Sequence, residues 1–562
     1  MNKLIKFISE NKWILLILIS SIFLRFWKIG NFPPSLNWDE VSHGYNAYSI
    51  LKTGKDEWGS FLPIIFRAYG DYKLPVYIYL TVLSEAIFGL TPLAIRLASV
   101  LAGVSTVIFT YLLTKKIFDK RVALLAAFLV AIEPWSLFLS RGAFEANLAL
   151  ALIVSGVYFL LKSLEKPVFS PLSILLLGLS VWTYNSARIF VPLLLLAFII
   201  IYRNSLKNYL KDKKTLVLSS LLLLLFFVPM FYQLLSPSGQ ARYGKVAILD
   251  EGAIAQINEK RVNSKLNPIL TRLLYNKVTY FSLSFTKNWF SHFSLNFLFL
   301  KGGTNYQFSL PNHGLLYLID LPFLILGTYL LLRMKKKEAY LLLSWFIFAP
   351  VASSLTREAP HVLRDITFLP LPMILISLGV VSKYDFLKRK KNWAIFSKPL
   401  VIVYLVITLI LAGNYFYQYF KEYPLKYSWS WQFGYSEVVS YLKANYDKYD
   451  KIIITKKYGE PHEFILFNWP WNPEKYQNDQ GKISFYQSEW YWVDKFDKFY
   501  FVNDWQIPKE GKIFVMESKG KINCNKVKCL LVTSPGNYPK GWLEVEQVNF
   551  LNGKPAFEIL KN

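Results

Sequence analysis

The run WILLILISSIFLRFW (13–27) gives way to NFPPSLNWDEVSHGYNAYSILKTG (31–54), and this passage from an apolar span to a polar, turn-rich segment sets the architecture. A second run, LVLSSLLLLLFFVPMFY (216–232), is equally apolar. With their flanks, both are long enough to cross a hydrocarbon core of about 30 Å. The 562 residues are 53% hydrophobic and 17% aromatic, so the chain reads as a polytopic α-helical membrane protein. It starts basic and turns apolar, but no small-residue cleavage site precedes the proline pair. The first span is therefore expected to be retained.

Working outward from that junction, Pro33-Pro34 should stop the first helix, since neither proline has an N–H to donate and each restricts its predecessor. Asn37 can then cap a new helix, with Glu40 three residues on as its capping-box partner. This puts Trp38, Asp39 and Glu40 in the first turn and His43 on the same face as Asp39. The two carboxylates either complement the helix dipole, or stay ionised to act as a base or a metal ligand.

About eleven transmembrane helices are expected, near 11–29, 92–113, 121–140, 145–163, 170–184, 188–203, 215–235, 314–333, 338–355, 364–382 and 398–417. The run 74–89 is short and contains Glu85, so it reads as an interfacial or re-entrant helix. The formal net charge of +27 would suit nucleic acid, but the basic residues cluster between apolar spans. With the N-terminus inside, KKIFDKR (115–121), KSLEK (162–166), YRNSLKNYLKDKK (202–214), RMKKKE (333–338) and KYDFLKRKK (383–391) all fall on the cytoplasmic side. Membrane topology explains the charge, and no nucleic-acid partner is expected.

The opposite face collects the chemistry: loops 30–89 and 236–313, SRGAFEAN (140–147), TYNSAR (183–188), TREAPHVLR (356–364) and the tail. Residues 1–420 form the membrane part. The aromatic run 279–303 is placed at the membrane interface. From about 421 the apolar runs shorten, giving a soluble extracytoplasmic α/β or α+β domain over 421–562. There YSEVVSYLKANY (435–446) reads as an amphipathic helix, and KIIIT, KFYFVND, KIFVMES, CLLVTS and PAFEIL as strands. The two cysteines, Cys524 and Cys529, either pair across a turn or remain free thiols.

Asp71 and Lys73 close the 31–75 segment, where a carboxylate can take an acceptor proton and a lysine can hold phosphate or snorkel to headgroups. Arg96 opens a span, where a cation is paired or functional. Arg141 and Glu145 lie four apart and either pair with each other or face a ligand. Arg188 caps an outer turn. His361 and Arg364 offer directional donors to phosphate oxygens, or are ordinary interfacial basic residues. His43 is read as a packing or hydrogen-bonding histidine. No glycine-rich phosphate loop, HExxH or serine-nucleophile motif occurs, so a donor would come from the lipid phase.

The DE pair after the first span, the lysine–proline segment, IFGLTPLAIRLASVLAG (87–103) and the downstream SRGAFE resemble the GT-C superfamily of polyprenyl-phosphate-sugar-dependent glycosyltransferases. The protein O-mannosyltransferases (glycosyltransferase family 39) and the aminoarabinose lipid A transferases are the branches it is similar to, over roughly residues 10–380. The resemblance implies an inverting transfer of sugar from a polyprenyl-phosphate donor to an extracytoplasmic glycan, lipid or protein acceptor, in a multi-pass plasma-membrane enzyme. It places the acceptor-orienting acid on Asp39 with Glu40 in support. Lys73 would hold the lipid phosphate with Arg96, Arg141 or Arg364, and Asp71, Glu145 and His361 join the substrate-binding candidates. Family members often carry an acid directly before the lysine, as E–K–P, whereas this chain has Asp71-Tyr72-Lys73-Leu74-Pro75. No cofactor is required by this reading. A divalent metal at Asp39 stays open, without support from ligand spacing.

Two other classes fit parts of the pattern. A transporter or flippase would use the same charges to bind a lipid-linked substrate without chemistry. However, no internal repeat is visible, and the charges gather at one surface rather than at the midplane. A membrane-anchored binding protein would retain its function in residues 421–562 alone.

Overall fold

The computed structural model describes residues 2–206, 212–487 and 490–562. Of the basic turn 202–214, residues 207–211 lie outside the described residues. The Cα framework divides into two compact units, one of residues 1–27 with 99–416 and the other of 28–98 with 417–562. The loop that the sequence grouped with the spans is thus part of the unit that contains the C-terminal domain.

The first unit is helical. Helix α1 (Asn2–Phe26) ends seven residues before Pro33, earlier than the proline pair suggested. Its terminal carbonyls have a dedicated donor in Arg141, which is fully buried. Nη1 donates to the carbonyls of Leu24 (2.6 Å) and Arg25 (3.0 Å), and Nη2 to that of Trp27 (2.7 Å). A guanidinium can satisfy several orphan carbonyls of a helix C-terminus at once. Arg25, also buried, donates to the carbonyls of Val130 and Ala131, the last turn of the helix Lys120–Ile132.

Every expected span contains helix, and among the described residues six helices are long and apolar enough to cross a membrane. Several of the other expected spans are interrupted or short, while the first keeps the unbroken 25-residue helix α1. Residues 121–140 split into Lys120–Ile132 and Pro134–Leu139, because Pro134 forces Glu133 into an extended conformation. Leu321–Arg333 and Lys337–Phe348 are likewise 13 and 12 residues long. Leu321–Arg333 packs closely on Leu371–Arg389. A Cβ on Gly327 would lie 1.8 Å from the Leu375 carbonyl oxygen, and one on Gly379 2.2 Å from that of Phe323. Reciprocal glycines permit this backbone approach. The stretch 236–313 is built largely of helices, including the aromatic Lys277–Ser291.

In the second unit, α2 (Trp38–Thr53) and α3 (Pro75–Phe88) flank a short hairpin of β1 (Phe66–Arg67) and β2 (Tyr72–Lys73). The first two turns of α4 (Pro92–Ile117) also belong here. The tail forms a seven-stranded mixed sheet. Its centre is β3 (Lys451–Thr455), flanked by β6 (Phe499–Val502) and β9 (Cys529–Thr533), both parallel to it. The antiparallel strands β5 (Trp490–Phe496) and β4 (Ile483–Gln487) extend one edge, and β11 (Pro555–Lys561) and β10 (Leu543–Asn549) the other. A separate hairpin joins β7 (Ile513–Val515) to β8 (Lys521–Asn523). The run Ile452–Ile454 is buried on both faces, as expected for the central parallel strand. The expected helix occupies Tyr435–Asn445, and Cys524 and Cys529 form a disulfide. The chain is a polytopic α-helical membrane protein with a β-rich C-terminal part.

Removing the Arg141 guanidinium leaves three carbonyls at the end of α1 without that donor, one of them buried and two partly so, at up to about 1–3 kcal/mol for each group left unsatisfied. Arg141→Ala is therefore expected to lower the thermal midpoint in detergent sharply. Arg141→Lys should restore only part of it, since an ammonium lacks the fork geometry. Differential scanning fluorimetry of the three proteins checks this.

Candidate functional site

The first turn of α2 is defined by its cap. Asn37 is extended (φ −84°, ψ 171°), and its side-chain oxygen accepts from the Glu40 N–H at 2.9 Å. Glu40 Oε2 accepts in return from the Asn37 N–H at 3.1 Å. The capping box legible in the sequence is thus present. Adjacent helical residues point about 100° apart, and the two acids of this turn meet different partners.

Glu40 points inward, 1% exposed, onto Arg96. Nε donates to Oε1 at 2.8 Å and Nη2 to Oε2 at 3.0 Å, a bidentate pair. The remaining Arg96 donors reach the carbonyls of Ile29, Pro33 and Ser35. All five guanidinium N–H groups are therefore used. Arg96, expected as a phosphate ligand, instead anchors the chain before α2. Glu40 is buried in this pair and in the cap.

Asp39 points the other way. Its side chain is 38% exposed, and Oδ1 lies 2.7 Å from Lys73 Nζ, whose side chain is 10% exposed. Lys73 is delivered by β2 immediately before Pro75 starts α3, with Phe66 as its cross-strand neighbour. Asp71 sits in the turn of the same hairpin, half-buried, its carbonyl accepting from the Ala68 N–H. An aromatic group borders this pair. Tyr69 stacks on Trp490 with ring centroids 6.0 Å apart, and its hydroxyl donates to the Trp38 carbonyl at 3.1 Å. Gly459 packs on the Trp38 indole at φ +116°, where a Cβ would lie 2.4 Å from the ring. His43, as expected, is a packing residue, buried 5.3 Å from the Tyr77 ring. One Asp39 oxygen already meets an ammonium, so a divalent metal there would have to displace Lys73.

A second cluster in this unit went unnoticed in the sequence. Glu57, beyond the C-terminus of α2, meets His462 and Glu463 from the helix Pro461–Asn468. All three are at most 1% exposed. Burial pushes the Glu57 carboxyl up to about 7. Burial and the neighbouring Glu57 hold Glu463 well above the usual carboxylate range. The His462 imidazole is driven down to about 3 by burial, with Lys456 and Lys482 adding to it. The available signal was EPHE (460–463), a histidine among acids in an otherwise apolar stretch.

The other expected residues belong to the helical unit. Arg141 caps α1 as described, and Glu145 is the first residue of Glu145–Ser163, where it complements the dipole. Arg364 donates from Nη1 to Thr356 Oγ1 at 2.8 Å and from Nη2 to Glu358, while its backbone N–H reaches His361 Nδ1 at 3.3 Å. With Arg188 it lines a cavity of about 460 Å³ that also includes Tyr184 and Thr356.

The comparisons with known proteins agree with this architecture. A family model described as dolichyl-phosphate-mannose-protein mannosyltransferase matches residues 73–232. A putative mannosyltransferase YkcB of Bacillus subtilis is 27% identical over 216 residues, 38% of this chain and 29% of the relative. Dolichyl-phosphooligosaccharide-protein glycotransferase 3 of Archaeoglobus fulgidus is 39% identical over 95 residues, 16% of this chain and 11% of the relative. The matches thus span less than a third of the curated relatives. Among solved structures, ArnT from Cupriavidus metallidurans bound to undecaprenyl phosphate aligns over 98% of both chains, with TM-score 0.53 and 12% identity. The Archaeoglobus fulgidus oligosaccharyltransferase in complex with Zn and sulfate aligns over 81% of this chain and 61% of its own, with TM-score 0.51 and 17% identity. The fold is one shared with ArnT and the Archaeoglobus fulgidus oligosaccharyltransferase.

The two acids of the first turn should separate in a stability measurement. Glu40→Gln leaves the buried Arg96 charge uncompensated and is expected to cost about 3–5 kcal/mol. Asp39→Asn breaks a partly exposed pair and should cost about 1 kcal/mol or less. Parallel denaturation curves in detergent read the difference.

Proposed function

We infer that the protein is a membrane glycosyltransferase that moves a sugar from a polyprenyl-phosphate donor to an extracytoplasmic hydroxyl on a glycan, lipid or protein, with inversion at the anomeric carbon. The observation that carries this reading is the Asp39–Lys73 pair, a half-exposed carboxylate and a nearly buried ammonium 2.7 Å apart. The pair stands in a fold shared with ArnT and the oligosaccharyltransferase. ArnT is described bound to undecaprenyl phosphate, the carrier that a lipid-linked sugar donor would leave behind.

In this mechanism the acceptor hydroxyl approaches Asp39, which orients it and takes its proton. The acceptor oxygen forms a bond to the anomeric carbon while the carbon–oxygen bond to the lipid phosphate breaks, so a single displacement inverts the centre. The bond electrons stay on the leaving phosphate, where the Lys73 ammonium offsets the growing charge. Before the donor arrives, that same ammonium holds Asp39 in place. Glu40, fixed by Arg96 and the cap, sets the direction in which Asp39 points. Asp71, on the turn that delivers Lys73, is proposed to border the donor headgroup. The Cys524–Cys529 disulfide suits an oxidising compartment, in keeping with a C-terminal domain outside the plasma membrane and a cytoplasmic N-terminus.

The test is transfer from a panel of radiolabelled polyprenyl-phosphate sugars by the protein purified into lipid nanodiscs. Wild type should release polyprenyl phosphate and label an acceptor. Asp39→Asn should lose on the order of 10²–10⁴-fold in kcat. Lys73→Ala should raise the donor KM about tenfold or more, the size expected for a lost charge-assisted contact. Donor binding without transfer under every acceptor condition would overturn the enzymatic reading. Full activity of Asp39→Asn would remove the acid from this position.

A further inference from the structure

The Glu57, His462 and Glu463 cluster takes no part in the proposed reaction, and most of its side-chain polar atoms lack a hydrogen-bond partner. Glu57 Oε2, both carboxylate oxygens of Glu463 and both ring nitrogens of His462 are buried without a hydrogen-bond partner. Buried polar groups are nearly always satisfied, so five such atoms in one cluster call for an occupant. The other Glu57 oxygen accepts from Asn46 Nδ2 at 2.9 Å, which fixes how the carboxylate faces the cluster. One ligand atom from each of the three residues lies within 4.8 Å of the others.

We propose that Glu57, His462 and Glu463 bind one divalent transition-metal cation, with zinc the best match, and that this ion ties the segment after α2 to the helix Pro461–Asn468. One imidazole and two carboxylates form an N/O donor set suited to such ions. Ligand bonds of about 2.0–2.2 Å need a tighter cluster than 4.8 Å, so binding would draw Glu463 and His462 toward the Glu57 oxygen that does not meet Asn46. Charge balance points the same way. Lys456 is already paired with Asp494 at 2.5 Å. The third acid near the cluster, Glu460, accepts from the Trp490 indole at 2.6 Å and has Oε2 3.6 Å from His462 Nδ1. Two carboxylates pressed together in a buried site need either a cation or a shared proton. The imidazole has no hydrogen bond at either nitrogen, only carboxylate oxygens at 3.6 and 3.8 Å, which favours the cation. Asp39 is not among its ligands, and its occupancy does not depend on the reaction proposed above.

The experiment uses the full chain in detergent. Elemental analysis of the purified protein should find close to one divalent metal per chain, and His462→Gln and Glu463→Gln should each retain less than about a tenth of it. Chelator treatment should lower the thermal midpoint of wild type, and added Zn²⁺ should restore it. Co²⁺ added to the chelator-treated wild type should give visible d–d absorption that saturates at one equivalent. That readout needs no variant to fold. Asp39→Asn should keep its metal. The proposal is overturned if wild type carries no divalent metal, ignores chelator and gives no saturable Co²⁺ spectrum. A proton shared by Glu57 and Glu463 would instead make the midpoint fall as pH rises from about 5 to 8, with or without chelator. In that case the carboxyls keep raised folded-state values, and deprotonation costs stability.

Discussion

The bidentate contact between Arg96 and Glu40 is the constraint on which the rest of the candidate site depends. Burying a guanidinium and a carboxylate is costly unless every donor and acceptor is met, and here they are met by one another, by three carbonyls and by the α2 cap. These bonds gather residues 29–40 around a single side chain from α4. Glu40 is locked inward as a result, so helical geometry leaves its neighbour Asp39 directed toward Lys73. One acid of the pair fixes the helix, and the other is left with an accessible oxygen. A motif of two consecutive carboxylates thereby yields two distinct environments without any special backbone.

Local chemistry was readable from sequence wherever it was encoded within a few residues. The Asn37–Glu40 box, the start of α3 at Pro75, the helix Tyr435–Asn445 and five of the tail strands all follow from caps, prolines and period-two patterns. Partnerships over long sequence separations were not legible. Arg96 looked like a phosphate ligand because its carboxylate partner lies 56 residues upstream. Arg141 looked like a partner for Glu145, yet it serves carbonyls more than 110 residues away. Glu57 and Glu463 carry no spacing that links them. The break at Glu133-Pro134 was visible in principle, but a continuous apolar pattern masked it.

The tail illustrates how the two scales meet. Its alternating strands announced a soluble domain, and the order of the sheet, with β3 between two parallel partners, required the structure. So did the discovery that residues 28–98 are part of the same compact unit. Gly459 shows why the sequence is silent there. It reads as an ordinary turn glycine, but its lack of a Cβ is what admits the Trp38 ring.

That discontinuous unit has a consequence for how the protein is made. Residues 28–98 leave the ribosome well before the chain that completes their unit, which begins at Tyr417. At about 5–20 residues per second, synthesis of the intervening stretch takes roughly 15–60 s. Throughout that interval Trp38, Tyr69 and the acid at position 57 are without the tail residues that surround them in the finished fold. Assembly of this unit therefore waits for the tail, and its earlier-made part must be kept from misassociation until then.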